Sequence, residues 1–89
     1  MRLYEILLDK RVQKFLSKAD EHIIRLFRSK IEIMQHNPLS EQLDIKKYSE
    51  WWPNNYRLRI GKYRFLFEII DHKVLIYFYD ADSRWDIYK

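Results

Sequence analysis

Four cations stand within eleven residues that contain no acid: Arg57, Arg59, Lys62 and Arg64, in the stretch 55–65. Arginine stays charged at any physiological pH, and its planar fork of donors matches the oxygens of a phosphate. The spacing says as much as the number. Tyr56-Arg57-Leu58-Arg59-Ile60 alternates strictly, and a period of two puts alternate residues on opposite faces of a strand. Gly61-Lys62 then separates two strand-like runs, and glycine in the first loop position suits a two-residue type II′ turn. That turn predicts a register: Ile60 opposite Tyr63, Arg59 opposite Arg64, Leu58 opposite Phe65 and Arg57 opposite Leu66. Tyr56, Leu58, Ile60, Tyr63, Phe65 and Phe67 then share an apolar face. Arg57, Arg59 and Arg64 share the other.

Like charges directly opposite each other destabilise a ladder. A chain free of functional demand has little reason to oppose Arg59 and Arg64. One explanation is a site for a polyanion, in which three guanidiniums hold a nucleic-acid backbone and stabilise charge developing on a phosphate. An acidic protein partner would suit the same patch. The other explanation is local neutralisation. Glu68 lies further along the same face, and Asp80, Asp82 and Asp86 follow.

A β-α-α-β-β-β order must position this hairpin. Residues 2–8 read as a first strand, short and apolar. Asp9 can cap a helix that carries Val12, Phe15, Leu16 and Ala19 on one stripe. Asp20 can cap a second helix, with Ile24, Phe27, Ile31 and Met34 recurring at helical spacing. That helix should stop near His36-Asn37, because the residue before Pro38 avoids the α region. Leu43–Tyr48 reads as a short extended piece, and Trp51–Asn55 as a loop. Tyr63–Ile70 and Val74–Tyr79 are aromatic and β-branched strands, with Asp71-His72 between them. Arg84–Tyr88 is a candidate last strand. The fold class is α+β: an N-terminal helical hairpin packed on a mostly antiparallel twisted sheet, one domain over residues 1–89. The expected core sets Phe15, Leu16, Ile24, Phe27, Ile31 and Met34 against Leu58, Phe65, Phe67, Val74 and Ile76.

Composition narrows the classes. With 89 residues the chain makes one domain, and 47% hydrophobic and 17% aromatic content argues against disorder. No window approaches the roughly 18 consecutive apolar residues of a membrane span. The start Met1-Arg2-Leu3-Tyr4-Glu5 reads as no signal peptide. With no cysteine, a disulfide or Cys-based zinc site is excluded, which fits a reducing cytoplasm. The net charge is +4.

The run Asn55-Tyr56-Arg57-Leu58-Arg59-Ile60-Gly61-Lys62-Tyr63-Arg64-Phe65 resembles the RelE/ParE superfamily of bacterial and archaeal toxins from type II toxin-antitoxin systems. The likeness is a tyrosine, two alternating basic residues, a glycine turn, then Tyr-Arg and an apolar strand. The close Arg84-Trp85-Asp86-Ile87-Tyr88 is similar to the family's Arg-x-x-x-Tyr ending. Lys14-Phe15-Leu16, Asn37-Pro38 and Asp44-Ile45-Lys46-Lys47 follow its layout.

The RelE side of the superfamily implies a ribosome-dependent mRNA endonuclease, acting through in-line attack of a 2′-OH on its own phosphate. A cognate antitoxin would neutralise it, and ribosome and mRNA would be its partners. The ParE side implies a gyrase poison that lacks the basic set; an inactive, partner-binding member is a further alternative. By the resemblance, Arg57 and Arg59 contact RNA and stabilise charge, and Arg64 binds the scissile phosphate. Arg84 precedes the C-terminal tyrosine, and Tyr88 takes the 2′-OH proton or stacks on a base. The RelE reading calls for no cofactor and no metal. Two departures stand out: arginine replaces a lysine that could relay protons, and Asp82-Ser83 stands where many members place a basic residue.

Other polar residues read as ordinary surface. His22, His36 and His72 share no face with one another. Trp51-Trp52 reads as closing the edge of the core, with base stacking or an antitoxin clamp as alternatives. Lys46, Lys47 and Lys62 are candidates to extend an RNA-binding surface. Arg25, Arg28 and Lys30 read as helix solubility.

Overall fold

The computed structural model describes residues 3–83. Strand β1 (Glu5–Leu8) leads into helices α1 (Lys10–Lys18) and α2 (Glu21–His36). Strands β2 (Ile45–Lys47), β3 (Asn55–Ile60), β4 (Tyr63–Ile70) and β5 (Leu75–Ser83) follow, with a 3-10 turn (Asp71–Lys73) before β5. The sheet order is β1-β5-β4-β3-β2. Among the described residues only the β1–β5 pair is parallel. The extended piece expected before the loop is β2, paired with β3 through Lys46 opposite Arg57 and Lys47 opposite Tyr56. The candidate strand over Arg84–Tyr88 lies outside the described residues, as do Arg84 and Tyr88 themselves.

Local chemistry sets the helix ends. Asp9 is the N-cap of α1, and its carboxylate accepts the Arg11 N–H at 3.1 Å. Asp20 takes the N-cap position of α2 without a side-chain cap bond. Asn37 is extended at φ −151°, so the helix ends ahead of Pro38.

The helices cover one face of the sheet. Phe27 lies 4.7 Å from Phe65 and 5.2 Å from Phe78, ring centre to ring centre, and Phe15 meets Phe65 edge to face at 5.5 Å. Val12, Met34, Leu58, Phe65, Phe67, Ile76 and Phe78 are buried with Phe27.

Two positions differ from the expected core. In α2 the buried residue is Ile23, not Ile24. At about 100° per residue, Ile23, Phe27 and Met34 cluster within a narrow arc, whereas Ile24 sits at its flank. Val74 is not a strand residue. It closes the 3-10 turn in the left-handed region, at φ 51° and ψ 52°, which a β-branched side chain rarely adopts.

The Phe27 contacts set a clear expectation. Phe27→Ala leaves a cavity against the Phe65 and Phe78 rings and should lower the unfolding free energy by about 3–5 kcal/mol, read by urea denaturation. A second expectation concerns pH. The Asp9 carboxyl is held below the ordinary carboxylate range by the Arg11 N–H and by the Tyr77 hydroxyl, which donates to it at 2.9 Å. A depressed folded-state pKa adds stability above the unfolded value, and that stability disappears as pH falls through the folded one. Thermal melts below about pH 4 should therefore lose more stability in the wild type than in Asp9→Asn.

Candidate nucleic-acid interface

The hairpin turn and its register match the expectation residue for residue. Gly61 has φ 61°, and Lys62 is not among the residues with positive φ, which fits a type II′ turn. Ile60 pairs with Tyr63, Arg59 with Arg64, Leu58 with Phe65 and Arg57 with Leu66. Because Leu58, Ile60, Phe65 and Phe67 enter the core, the arginines share the face that the helices leave uncovered.

Pairing extends the arginines into rows across the sheet. Arg59 and Arg64 continue to Asp82 on β5, and Lys46, Arg57 and Leu66 continue to Asp80. A register shift between Leu66 and Phe67 leaves Tyr79 as an extra residue. Phe78 and Ala81 pack on the core, so Tyr79 and Asp80 both reach the arginine face. No feature of the strand's sequence announces that bulge.

The three arginines sit in different surroundings. Arg59 is exposed, and its Nε donates to the Gly61 carbonyl at 3.2 Å. The Arg57 side chain is only 12% exposed, and its Nη1 approaches the Asp44 carboxylate at 3.5 Å, a loose ion pair. Arg64 is buried at 5% exposure, with its guanidinium carbon 5.3 Å from the centre of the Tyr48 ring. Neutralisation by acids is thus part of the picture, and Asp44 joins the acids that the sequence pointed to. The two lysines of β2 do not act together. Lys46 stands opposite Arg57 on this face, whereas Lys47 stands opposite Tyr56, whose ring packs toward the core. Lys62 is exposed at the hairpin tip, its Nζ 5.6 Å from the Tyr63 ring centre.

Aromatic side chains from the β2–β3 loop close over this face. Trp52 stacks on Tyr79 at 5.4 Å, and the Tyr79 hydroxyl donates to Asn55 Oδ1. Asn55 is fully buried. Trp51 and Trp52 do not close the core edge: Trp51 is 96% exposed and Trp52 46%. Their loop lies against the arginine face, which the helices do not reach, so the core has no place for them. Tyr48 and Tyr79 carry no motif signal, because their partners arrive from distant strands. Burial raises the Tyr79 hydroxyl above its ordinary value, and the hydrogen bond to Asp9 does the same for Tyr77. Both serve as donors and neither as a base.

His22, His36 and His72 are exposed. Among the described residues no three of His, Cys, Asp or Glu group as metal ligands would. Among the described residues no helix is long and apolar enough to cross a membrane.

No protein-family model matches the sequence, and no curated protein matches it significantly. Solved structures do. The isolated RelE toxin of E. coli shares the fold at TM-score 0.75 and 21% identity, over 90% of this chain and 83% of that one. A RelE–RelB complex from Pyrococcus horikoshii matches at TM-score 0.82 and 24% identity, over 92% of this chain and 96% of that one. A RelB–RelE antitoxin–toxin complex from Methanococcus jannaschii matches at TM-score 0.75 and 32% identity, over 92% of this chain and 94% of that one. The chain belongs to the RelE family of toxins. The opposed arginines differ in burial, Arg64 being buried and Arg59 exposed.

Arg59→Gln relieves repulsion at an exposed site and should change stability by less than about 0.5 kcal/mol. Arg64→Gln deletes a buried guanidinium that packs on Tyr48 and stands opposite Asp82, leaving that acid without the facing charge, and should cost more than about 2 kcal/mol. Paired denaturation curves measure both, and equal effects would refute the distinction.

Proposed function

We propose that this RelE-family toxin is a ribosome-dependent mRNA endonuclease that inhibits translation in the cytoplasm and is neutralised by a cognate antitoxin. The observation that carries the reading is the β3–β4 register, which gathers Arg57, Arg59 and Arg64 on one sheet face. The RelB–RelE complexes among the similar structures support an antitoxin partner.

The chemistry follows from what the residues can and cannot do. In-line attack of a 2′-OH on the adjacent phosphate builds negative charge on the equatorial oxygens. Fixed guanidiniums stabilise that charge more in the transition state than in the ground state. Arg59, the exposed one, meets the phosphate directly; the less exposed Arg57 and Arg64 add positive charge to the same face. Lys46 and Lys62 extend the cationic surface along the RNA. Arginine is a poor general base, and Tyr77 and Tyr79 hold their protons. By the resemblance, Arg84 and Tyr88 complete the site, with Tyr88 as the weak base. Such a site gains most when the 2′-OH is already aligned with the phosphate, and the ribosomal A site supplies that alignment.

A second reading rests on the enclosure of Arg64. A buried arginine under an aromatic ring suits a structural role, as in a ParE-type gyrase poison or a partner-binding member.

A translation extract with a defined mRNA, read by primer extension, decides between them. Wild type should cut on ribosomes and leave free RNA largely intact. Arg59→Ala, at an exposed position, should lose cleavage by a factor of about 100 or more with its fold unchanged. Tyr88→Phe should slow cleavage while ribosome binding persists. Growth inhibition with intact mRNA and with DNA breaks trapped on gyrase would overturn the endonuclease reading.

A further inference from the structure

Three of the large apolar side chains that the described residues expose fall between positions 48 and 52: Tyr48, Trp51 and Trp52. All are aromatic. Apolar side chains scattered singly over a surface are ordinary, whereas a cluster marks a contact surface. Two of the three already have partners. Tyr48 covers the Arg64 guanidinium, and Trp52 stacks on Tyr79. Trp51 is almost wholly exposed, so its indole is open to solvent on both faces.

The mount beneath Trp51 is held at several points. The Tyr79 ring that carries Trp52 also meets the Tyr77 ring at 6.2 Å, and the Tyr79 hydroxyl donates to the fully buried Asn55. Trp52 precedes Pro53, which restricts its backbone to extended conformations. The Trp51 N–H donates to Ser49 Oγ at 3.2 Å. Tyr79 stands on β5 and the exposed Arg59 on β3, with β4 between them. Two strand spacings, roughly 10 Å, therefore separate the strand under Trp52 from the strand that carries Arg57 and Arg59. The loop from Tyr48 to Asn54 brings one charge of its own, Glu50. Attraction for a polyanion at this place must come from ring faces, while Lys46, Arg57 and Arg59 supply the positive charge.

We propose that Trp51 is a base-stacking platform, which takes an unpaired nucleobase of the RNA strand whose phosphates lie on the arginine face. The inference deepens the proposed function and rests on it for RNA as the ligand. A nucleotide carries a flat ring and a phosphate, and this face offers both counterparts side by side: an open indole and a row of cations. Stacking of a base on an aromatic ring needs no hydrogen-bonding edge, so it suits a loop whose exposed surface is mainly rings. The base must be unpaired, because the bases of a duplex already stack on one another. Trp52 and Tyr79 act as positioning residues: their stack fixes the loop, and Trp51 meets the base.

The probe is 2′-O-methyl oligoadenylate of about six nucleotides, single-stranded and unable to undergo 2′-OH attack. In the full-length protein the Trp51 indole N–H signal, identified by its loss in Trp51→Phe, should shift as the strand is added. Trp51→Ala should weaken binding about tenfold with an unchanged melting temperature, and Trp51→Phe should keep most of the affinity. An abasic strand of the same length should bind wild type and Trp51→Ala equally. Unchanged affinity of Trp51→Ala for oligoadenylate would overturn the platform. An equal loss for the abasic strand would overturn it too, because the effect would then be one of charge or fold. A Trp51 signal that the strand leaves unmoved would assign the loop to a protein partner and overturn the proposal. Ribosome-dependent cleavage by a wild type whose Trp51 ignores the strand would uphold the endonuclease reading alone. Strand binding as described, without any cleavage on ribosomes, would uphold the platform alone.

Discussion

The two residues that reverse the chain between β3 and β4 decide where Arg57, Arg59 and Arg64 stand relative to one another. Gly61 adopts φ 61°, a conformation open to glycine at little cost. The pairing of Ile60 with Tyr63 follows, and with it the whole ladder back to Asn55 opposite Glu68. A slip of one residue would carry the arginines into the core and the phenylalanines to the opposite face. The register is therefore held from two directions: by the turn at one end, and by the apolar contacts of Phe65 and Phe67 with the helices and β5.

The two faces of the sheet are closed by different means. Helices seal one with aromatic rings, as a two-layer α+β domain requires. The other has no helix among the described residues, and side chains from the β2–β3 loop take over. Tyr48 lies on Arg64 and Trp52 on Tyr79. This arrangement partly withdraws Arg57 and Arg64 from water while leaving Arg59 exposed. Charges in such surroundings interact more strongly than on an open surface. The acids Asp44, Asp80 and Asp82 keep the same face from being uniformly positive. Under the proposed function, such a mixed face favours a correctly placed phosphate over nucleic acid in general.

Much of the fold was legible in the sequence because its periods are strong. The 2.0-residue alternation of Tyr56–Ile60 and the turn at Gly61-Lys62 fix a local geometry that needs no distant contact, and the same holds for Asp9 as a cap and Pro38 as a stop. The Ile23–Ile24 choice was not legible, because adjacent isoleucines both fit a helical stripe and only the sheet selects one. Val74 was misread for a related reason. Its β-branched type suits a strand, yet closure of the 3-10 turn holds it in a left-handed conformation.

What the sequence determined by itself is the hairpin: its register, its division into an apolar and a cationic face, and the opposition of Arg59 and Arg64. These depend on neighbours within about ten residues, and backbone sterics act at that range. Tertiary structure alone decided how each arginine is used. The burial of Arg64 depends on Tyr48, the pairing of Arg57 on Asp44, and the double presentation of Tyr79 and Asp80 on a bulge opposite Leu66. Each of these joins segments far apart in the chain, and no local preference encodes such a meeting. Burial and electrostatic environment belong to the packed assembly, so the charge pattern could be read in advance but its exposure could not.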